Sequence, residues 1–311
     1  MSARLVLPHD ADRAMWLAAR RPAVTASEIP VVLGISPFDS AFNLHWTKRG
    51  IVPDDYDNDR LSLGRHMEPW VAERYADAHP EYEVAMGALY ASKDRPWQMA
   101  TPDRLLHEPA RRALMQYDLT AVLQVKTSVT YQGWGADGTD DIPAYIRAQV
   151  LWEMDVMGLG EGRVACLFLP TTQIRYYRIT YDVVDVDLMR MAALEFLEGV
   201  ETGTPPPIDG HRATTAALKH LHPGVGDREV TIPRRLAHAY QAAKAAIAKA
   251  EKRAALAENQ IRARLGNGHT AVDPDGAKIA TRIAYDRRAY EVAPTTIDAL
   301  MPHRPPKREA S

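Results

Sequence analysis

Between residues 83 and 180 the chain breaks into short, partly alternating apolar runs bounded by turn residues: Glu83 to Ser92, Trp97 to Leu106, Leu119 to Thr127, Arg163 to Leu169 and Gln173 to Thr180. Such runs read as strands. A helix interrupts them over Pro143 to Met157, with Asp140 or Asp141 as its cap, Pro143 near its first position and Gly158 at its end. Strand, helix and strand in succession call for a parallel crossover, because parallel neighbours cannot be joined by a tight turn. The expected fold class is therefore α/β (α+β), with a mixed central sheet flanked by helices.

Helical segments surround this tract. Asp12 to Arg20 is closed by Pro22, and Thr25 to Gly34 has Ser27 as N-cap, Pro30 in its first turn and Gly34 as its stop. Ser40 to Lys48 ends at Gly50, Ser62 to Ala78 is expected to break or restart at Pro69, and Asp185 to Leu197 follows the last strand. The stiff run Gly203-Thr204-Pro205-Pro206-Pro207 then marks the end of the core. This divides the chain into a core over residues 1–204 and an appendage over 205–311. Within the appendage Arg234 to Leu265 is rich in alanine and free of glycine and proline, which predicts one long helix. Its apolar stripe is weak and calls for a partner helix or a second subunit. A hairpin over 269–272 and 278–285 comes next, and a basic end over 302–308 closes the chain.

Hydrophobic residues make up 46% of the 311 residues and charged ones 25%, enough for a substantial core and too little charge for a disordered chain. Thirty-eight basic residues against forty acidic ones leave a net charge of −2, so any contact with nucleic acid must be local. Cys166 is the lone cysteine, which excludes an intrachain disulfide, a four-cysteine zinc site and a four-cysteine iron–sulfur cluster. No apolar stretch reaches the length of roughly 18 residues that a membrane span needs, and a cytoplasmic protein is expected.

Chemistry concentrates in two places on the strands. Thr101-Pro102-Asp103 ends one strand, and Leu123-Gln124-Val125-Lys126-Thr127 follows on another. In an extended strand Gln124 and Lys126 leave the same face while Leu123 and Val125 enter the other. If Asp103 ends the neighbouring strand, a carboxylate, an amide oxygen and an ammonium converge, an arrangement suited to a hard divalent cation and the hydrolysis of phosphodiesters. Glu68, in Gly64-Arg65-His66-Met67-Glu68-Pro69, adds an acid on an upstream helix. Tyr145 and Gln149 put two polar groups at i and i+4 on the helix after the Gln124 strand. His66 reads as a surface helical residue, and the acidic loop Trp134 to Asp141 lacks the terminal glutamate of a calcium loop.

Taken in order, Arg20, Thr25-Ala26-Ser27, Leu33-Gly34-Ile35-Ser36-Pro37, Gly64 to Pro69, Thr101-Pro102-Asp103, Gln124-Val125-Lys126 and Ile142 to Gln149 resemble the YqaJ-type viral recombinase family, relatives of phage lambda exonuclease in the PD-(D/E)XK nuclease superfamily. The similarity covers about residues 13 to 200. It implies a restriction-endonuclease-like core and a Mg2+- or Mn2+-dependent DNA exonuclease that resects duplex ends 5′ to 3′, leaving single strands for an annealing protein in phage-type recombination. A homo-oligomer, such as a trimeric ring, is implied as well. Asp103, Glu68, residue 124 and the backbone carbonyl of Val125 would hold the metal, with Lys126 as the catalytic lysine. Arg20, Ser27, Thr101 and Gln149 would hold the 5′-phosphate of the DNA end, and Tyr145 would flank the site. One departure stands out: the family usually has Glu where this chain has Gln124. The amide keeps an oxygen ligand and loses a negative charge. Either Gln124 binds as a neutral ligand, or an acid such as Glu68, Glu73 or Asp118 compensates, or the site is degenerate and the protein binds DNA ends without cutting them. A structure-specific endonuclease of the same superfamily is the remaining alternative.

Overall fold

The computed structural model describes residues 2–54, 59–114 and 118–286. In chain order the elements are β1 (Ala3–Leu7), α1 (Arg13–Arg20), β2 (Val24–Thr25), α2 (Ile29–Val32), α3 (Ala41–Lys48), α4 (Asp59–Ala78), β3 (Glu83–Met86), β4 (Leu89–Ser92), β5 (Gln98–Ala100), β6 (Arg104–His107), α5 (Pro109–Ala113), β7 (Leu119–Ser128), α6 (Ala144–Met157), β8 (Glu161–Phe168), β9 (Gln173–Thr180), α7 (Val183–Thr202), α8 (Arg212–Leu221), α9 (Arg234–Leu265), β10 (Thr270–Val272) and β11 (Lys278–Thr281).

The principal sheet has the order β3-β6-β7-β8-β9. Only its β7–β8 pair is parallel, with Gln124 opposite Val164 and Lys126 opposite Cys166. Helix α6 makes the crossover between those two strands, so the expected α/β class with a mixed sheet flanked by helices is the one observed. A smaller sheet, β1-β4-β5-β2, lies beside it. Leu123 and Val125 pack into a cluster with Val71, Ala72 and Tyr75 of α4, whereas Val122 faces Ile146, Val150 and Trp152 of α6. The side chains of Gln124 and Lys126 therefore emerge on the α6 side, as period two dictates.

Two of the expected strands are each divided in the structure. Glu83 to Ser92 becomes β3 and β4, and Trp97 to Leu106 becomes β5 and β6, each pair split between the two sheets. The bends at Gly87 and at residues 101–103 lie against each other. A Cβ on Gly87 would stand 1.7 Å from the Pro102 carbonyl oxygen, so only glycine lets the two backbones approach this closely. Helix α4 runs unbroken through Pro69 rather than restarting there. Burial of Val71, Ala72 and Tyr75 against the sheet outweighs a propensity penalty of about 3 kcal/mol. Ser27 is not the N-cap of α2, which begins at Ile29 after Glu28; the hydroxyl is engaged with Arg20 instead.

Residues 1–223 form one compact unit and those from 224 onward another. Helix α8 belongs to the first, where Thr214 Oγ1 donates to Ser40 Oγ at 2.8 Å. The proline-rich run at 205–207 thus lies inside that unit. In the second unit, α9 spans the expected residues and buries none of them. The hairpin β10–β11 turns through Asp273, whose Oδ1 accepts from the amides of Asp275 and Ala277. The basic run at 302–308 lies outside the described residues. Among the described residues, no helix is long and apolar enough to cross a membrane.

Candidate active site

Asp103 stands immediately before β6, next to β7, where Arg104 pairs with Leu123. Its Oδ2 accepts a hydrogen bond of 2.5 Å from Gln124 Nε2 and one of 2.7 Å from the Val125 amide. Lys126 Nζ donates to Gln149 Oε1 on α6 at 2.9 Å. Gln149 Nε2 in turn donates to Glu153 Oε1 at 3.1 Å. Sheet register and the crossover helix thus bring Asp103, Gln124, Lys126 and Gln149 into one place, with Gln124 turning its amide nitrogen rather than its oxygen to Asp103 and Gln149 meeting Lys126.

Asp103 as a residue is half-buried, yet enough protein surrounds its carboxylate for burial to be the strongest influence on it. Burial, opposed by Lys126 and reinforced by Glu68, pushes its pKa up to about 6. Glu68 reaches the neighbourhood from α4, but its Oε1 is held by Arg104 Nη1 at 2.7 Å, and the same guanidinium nitrogen donates to the Asp103 backbone oxygen at 2.6 Å. Arg104 escaped the sequence reading because it sits inside a strand that reads as core. Val125 meets Asp103 through its amide.

Of the other two acids weighed against the loss of charge at Gln124, Glu73 points outward beside Arg74, and Asp118 pairs with His107 at 3.4 Å. Glu153 is the acid that the sequence reading missed. It is 0% exposed, and Tyr145, Gln149 and Glu153 follow one another at intervals of four along α6. The signal was present, since an acid in Val150-Leu151-Trp152-Glu153-Met154 stands out in so apolar a run. Burial first, then the Asp103 charge, raise the Glu153 pKa well above the ordinary carboxylate range.

A second cluster forms around Arg20. Its Nη2 donates to Thr25 Oγ1 at 2.9 Å, Ser27 Oγ at 3.2 Å and Glu28 Oε1 at 3.4 Å, and its guanidinium lies 3.9 Å from the Trp16 ring. Beneath it Lys48 Nζ donates to Glu28 Oε2 at 2.8 Å and to the carbonyls of Arg20 and Ala23 at 2.9 and 2.6 Å. Burial pushes Glu28 up, but Lys48 and Arg20 outweigh it and hold the carboxyl below its usual range. Burial lowers Lys48, opposed by Glu28. Thr25 pairs with Met99 in parallel strands, so Ser27 and Thr101 follow at the same offset on the two chains. Tyr145 packs edge-on against the exposed Phe38, with ring centroids 5.7 Å apart.

Oxygen donors of this kind suit a hard divalent cation. Among the described residues no group of three His, Cys, Asp or Glu side chains converges on one point. Two buried oxygens in this cluster nevertheless have no hydrogen-bond partner, Gln124 Oε1 and Glu153 Oε2. Together with the Asp103 carboxylate they are oxygens of the chemical kind that fits such an ion, two acids and one neutral amide.

The family model of the YqaJ-like viral recombinase domain matches residues 15–160. The matched residues, just under half of the chain, include Arg20, Glu28, Lys48, Glu68, Asp103, Gln124, Lys126, Gln149 and Glu153. Solved structures similar to the chain include an alkaline exonuclease, LHK-Exo, from Laribacter hongkongensis, 18% identical, covering 61% of this chain and 94% of that one at a TM-score of 0.48. The same exonuclease in complex with dAMP gives a TM-score of 0.49 at 18% identity, with coverage of 61% and 94%. A phage related exonuclease from Haemophilus somnus 129PT is 9% identical, with coverage of 58% and 96% and a TM-score of 0.42. No curated protein matches the chain.

Proposed function

We propose that this chain is a divalent-cation-dependent DNA exonuclease that resects duplex ends from 5′ to 3′. The observation that carries the reading is the meeting of Asp103, Gln124, Lys126 and Gln149 inside the YqaJ-like domain. Asp103 and Gln124 would hold Mg2+ or Mn2+, with Glu68 and the Val125 carbonyl as further ligands. When bound, such an ion supplies Lewis acidity at the phosphoryl oxygen and a more acidic water. Lys126 Nζ, steadied by Gln149, orients the attacking water and offsets charge that develops on the phosphate. Arg20, with Ser27 bonded to it, grips the terminal 5′-phosphate with Thr101 as a further donor, and the Trp16 ring and Glu28 hold the guanidinium in place. Tyr145 and Gln149 flank the path of the strand. The products would be single strands for an annealing protein, and a homo-oligomeric ring would keep the enzyme on its DNA.

Gln124 favours one rival reading, a protein that grips DNA ends without consuming them. Incubating linear duplex DNA with the full chain separates the two. Loss of DNA that needs Mg2+, fails with Asp103→Ala and spares closed circles is expected of the exonuclease; stable, metal-independent complexes with intact DNA would establish the rival. Cutting of closed circles would reveal an endonuclease instead.

A further inference from the structure

Helix α6 carries two acids in its buried half, Glu153 and Asp155. Their surroundings differ in a way that separates architecture from function. Asp155 receives Arg190 on both oxygens, Gln98 Nε2 at 2.6 Å, Arg95 Nη2 at 3.3 Å and the Tyr181 hydroxyl at 2.9 Å. These partners overcome its burial and hold its carboxyl below the usual range. That acid is a structural one, neutralised by its own network. Glu153 is more deeply buried and has no such answer: Gln149 satisfies one oxygen and nothing satisfies the other. A buried carboxyl group in this condition keeps its proton unless a cation meets it.

Gln124 presents the complementary anomaly. Only 3% exposed, it turns its Nε2 toward Asp103 and leaves its Oε1 without a donor. These two orphaned oxygens belong to side chains grouped with Asp103, Gln124 through a direct hydrogen bond and Glu153 through the Gln149 link to Lys126, with the Asp103 charge acting on it after burial. The face of β7 that carries Gln124 and Lys126 looks toward α6, where Gln149 links Lys126 to Glu153. We propose that Glu153 supplies the second carboxylate of the metal site, the negative charge having moved from the strand position held by Gln124 to the facing helix. The donor set becomes Asp103, Glu153 and the neutral Gln124 oxygen, which explains why an amide is compatible with residue 124. This assignment rests on the nuclease reading and adds to it the residue that balances the cation's charge.

The test is Mn2+ binding by the full chain without DNA, followed by calorimetry and by the loss of the free-ion paramagnetic resonance signal, alongside Mg2+-dependent cleavage of linear duplex. The wild type is expected to bind Mn2+, and Glu153→Gln to weaken that binding at least about tenfold. Adding Gln124→Glu to the Glu153→Gln chain is expected to restore both binding and cleavage, because the charge returns on the strand side. Circular dichroism and melting confirm that each variant is folded. If Glu153→Gln does not fold, the double variant decides, and its failure to bind Mn2+ while folded overturns the proposal. Unchanged Mn2+ affinity in a folded Glu153→Gln chain refutes the assignment while leaving the nuclease reading intact, and if cleavage alone is lost, Glu153 acts by positioning Gln149 and Lys126. A wild type that neither binds Mn2+ nor cleaves overturns both.

Discussion

Replacing Glu28 with glutamine tests whether the Arg20 cluster is built as an electrostatic unit. Glu28 is the anion shared by Lys48 at 2.8 Å and Arg20 at 3.4 Å, and its Oε2 also accepts the Thr25 amide at 2.8 Å. Glutamine preserves the shape and an acceptor for Thr25 but removes the anion the two cations share, leaving Asp54 as the acid nearby. Breaking a buried ion pair costs about 3–5 kcal/mol. The lower end applies here, because Lys48 keeps the carbonyls of Arg20 and Ala23 as acceptors. Roughly 2–3 kcal/mol is therefore expected, or about 5–10 °C in the melting temperature of a unit this size. The pH dependence follows from the directions of the shifts. Glu28 is more acidic when folded, so its contribution is present above its unfolded value near 4.5 and vanishes as pH falls through the folded one. Lys48 is less basic when folded, so its unpaired charge in the variant hurts less as pH rises. Melting followed by circular dichroism from pH 3 to pH 9 should show the wild type and Glu28→Gln converging in acid and separating near neutrality. Removing the orphaned charge as well, with Glu28→Gln/Lys48→Met, should recover part of the loss. A gap of the same size at every pH, or no gap at all, would refute the shared-anion account.

Asp103, whose pKa rises from 3.8 to about 6, gives the opposite sign: the metal-free fold loses stability as pH climbs through that window, by up to about 3 kcal/mol, and Asp103→Asn should remove this slope in chemical denaturation with EDTA present. Gln124→Glu puts a third acid beside Asp103 and removes the amide donor, so its melting temperature should fall in EDTA and rise more than the wild type's on adding Mg2+; cleavage should be retained or raised, and absence of nuclease activity in both versions would count against a working site. Gly87→Ala drives a methyl to within 1.7 Å of the Pro102 oxygen and must displace the backbone leading into Asp103. Mg2+-dependent cleavage should drop sharply even where circular dichroism shows a folded chain.

The site was legible in the sequence wherever period and order carry information. Alternation along Leu123-Gln124-Val125-Lys126 put the two polar side chains on one face, and the strand, helix and strand order put α6 over that face. Local signals failed where tertiary packing decides. Gly87 reads as one more residue of a strand, and only its contact with Pro102 reveals that the chain changes sheets there. Pro69 is a breaker by propensity, overridden by the apolar face of α4. Lys48 sits in the last turn of α3, where a basic residue suits the helix end, and nothing in its neighbours announces that it reaches back to Glu28. Glu153 lies one turn beyond the Tyr145 and Gln149 pair, and that its carboxyl is fully buried beside β7 follows only from the packing of α6.

The near-equal totals of basic and acidic residues take on a meaning from these two clusters. Around Arg20, Arg20 and Lys48 share Glu28, with Asp54 as a further acid nearby, and on the proposed reading the Arg20 guanidinium is what meets a phosphate. Around Asp103, Arg104 is taken up by Glu68, so Lys126 faces both Asp103 and Glu153. A phosphodiester brought to that second cluster with no divalent ion would meet the Asp103 carboxylate, the Glu153 carboxyl group and a buried amide, and the cost of desolvating it there would be unrelieved. On the proposed reading, the end of a strand is gripped at Arg20 without metal, whereas the scissile bond settles beside Asp103 only once a cation is bound. Capture and cutting would then be separable steps, with the ion acting on the second.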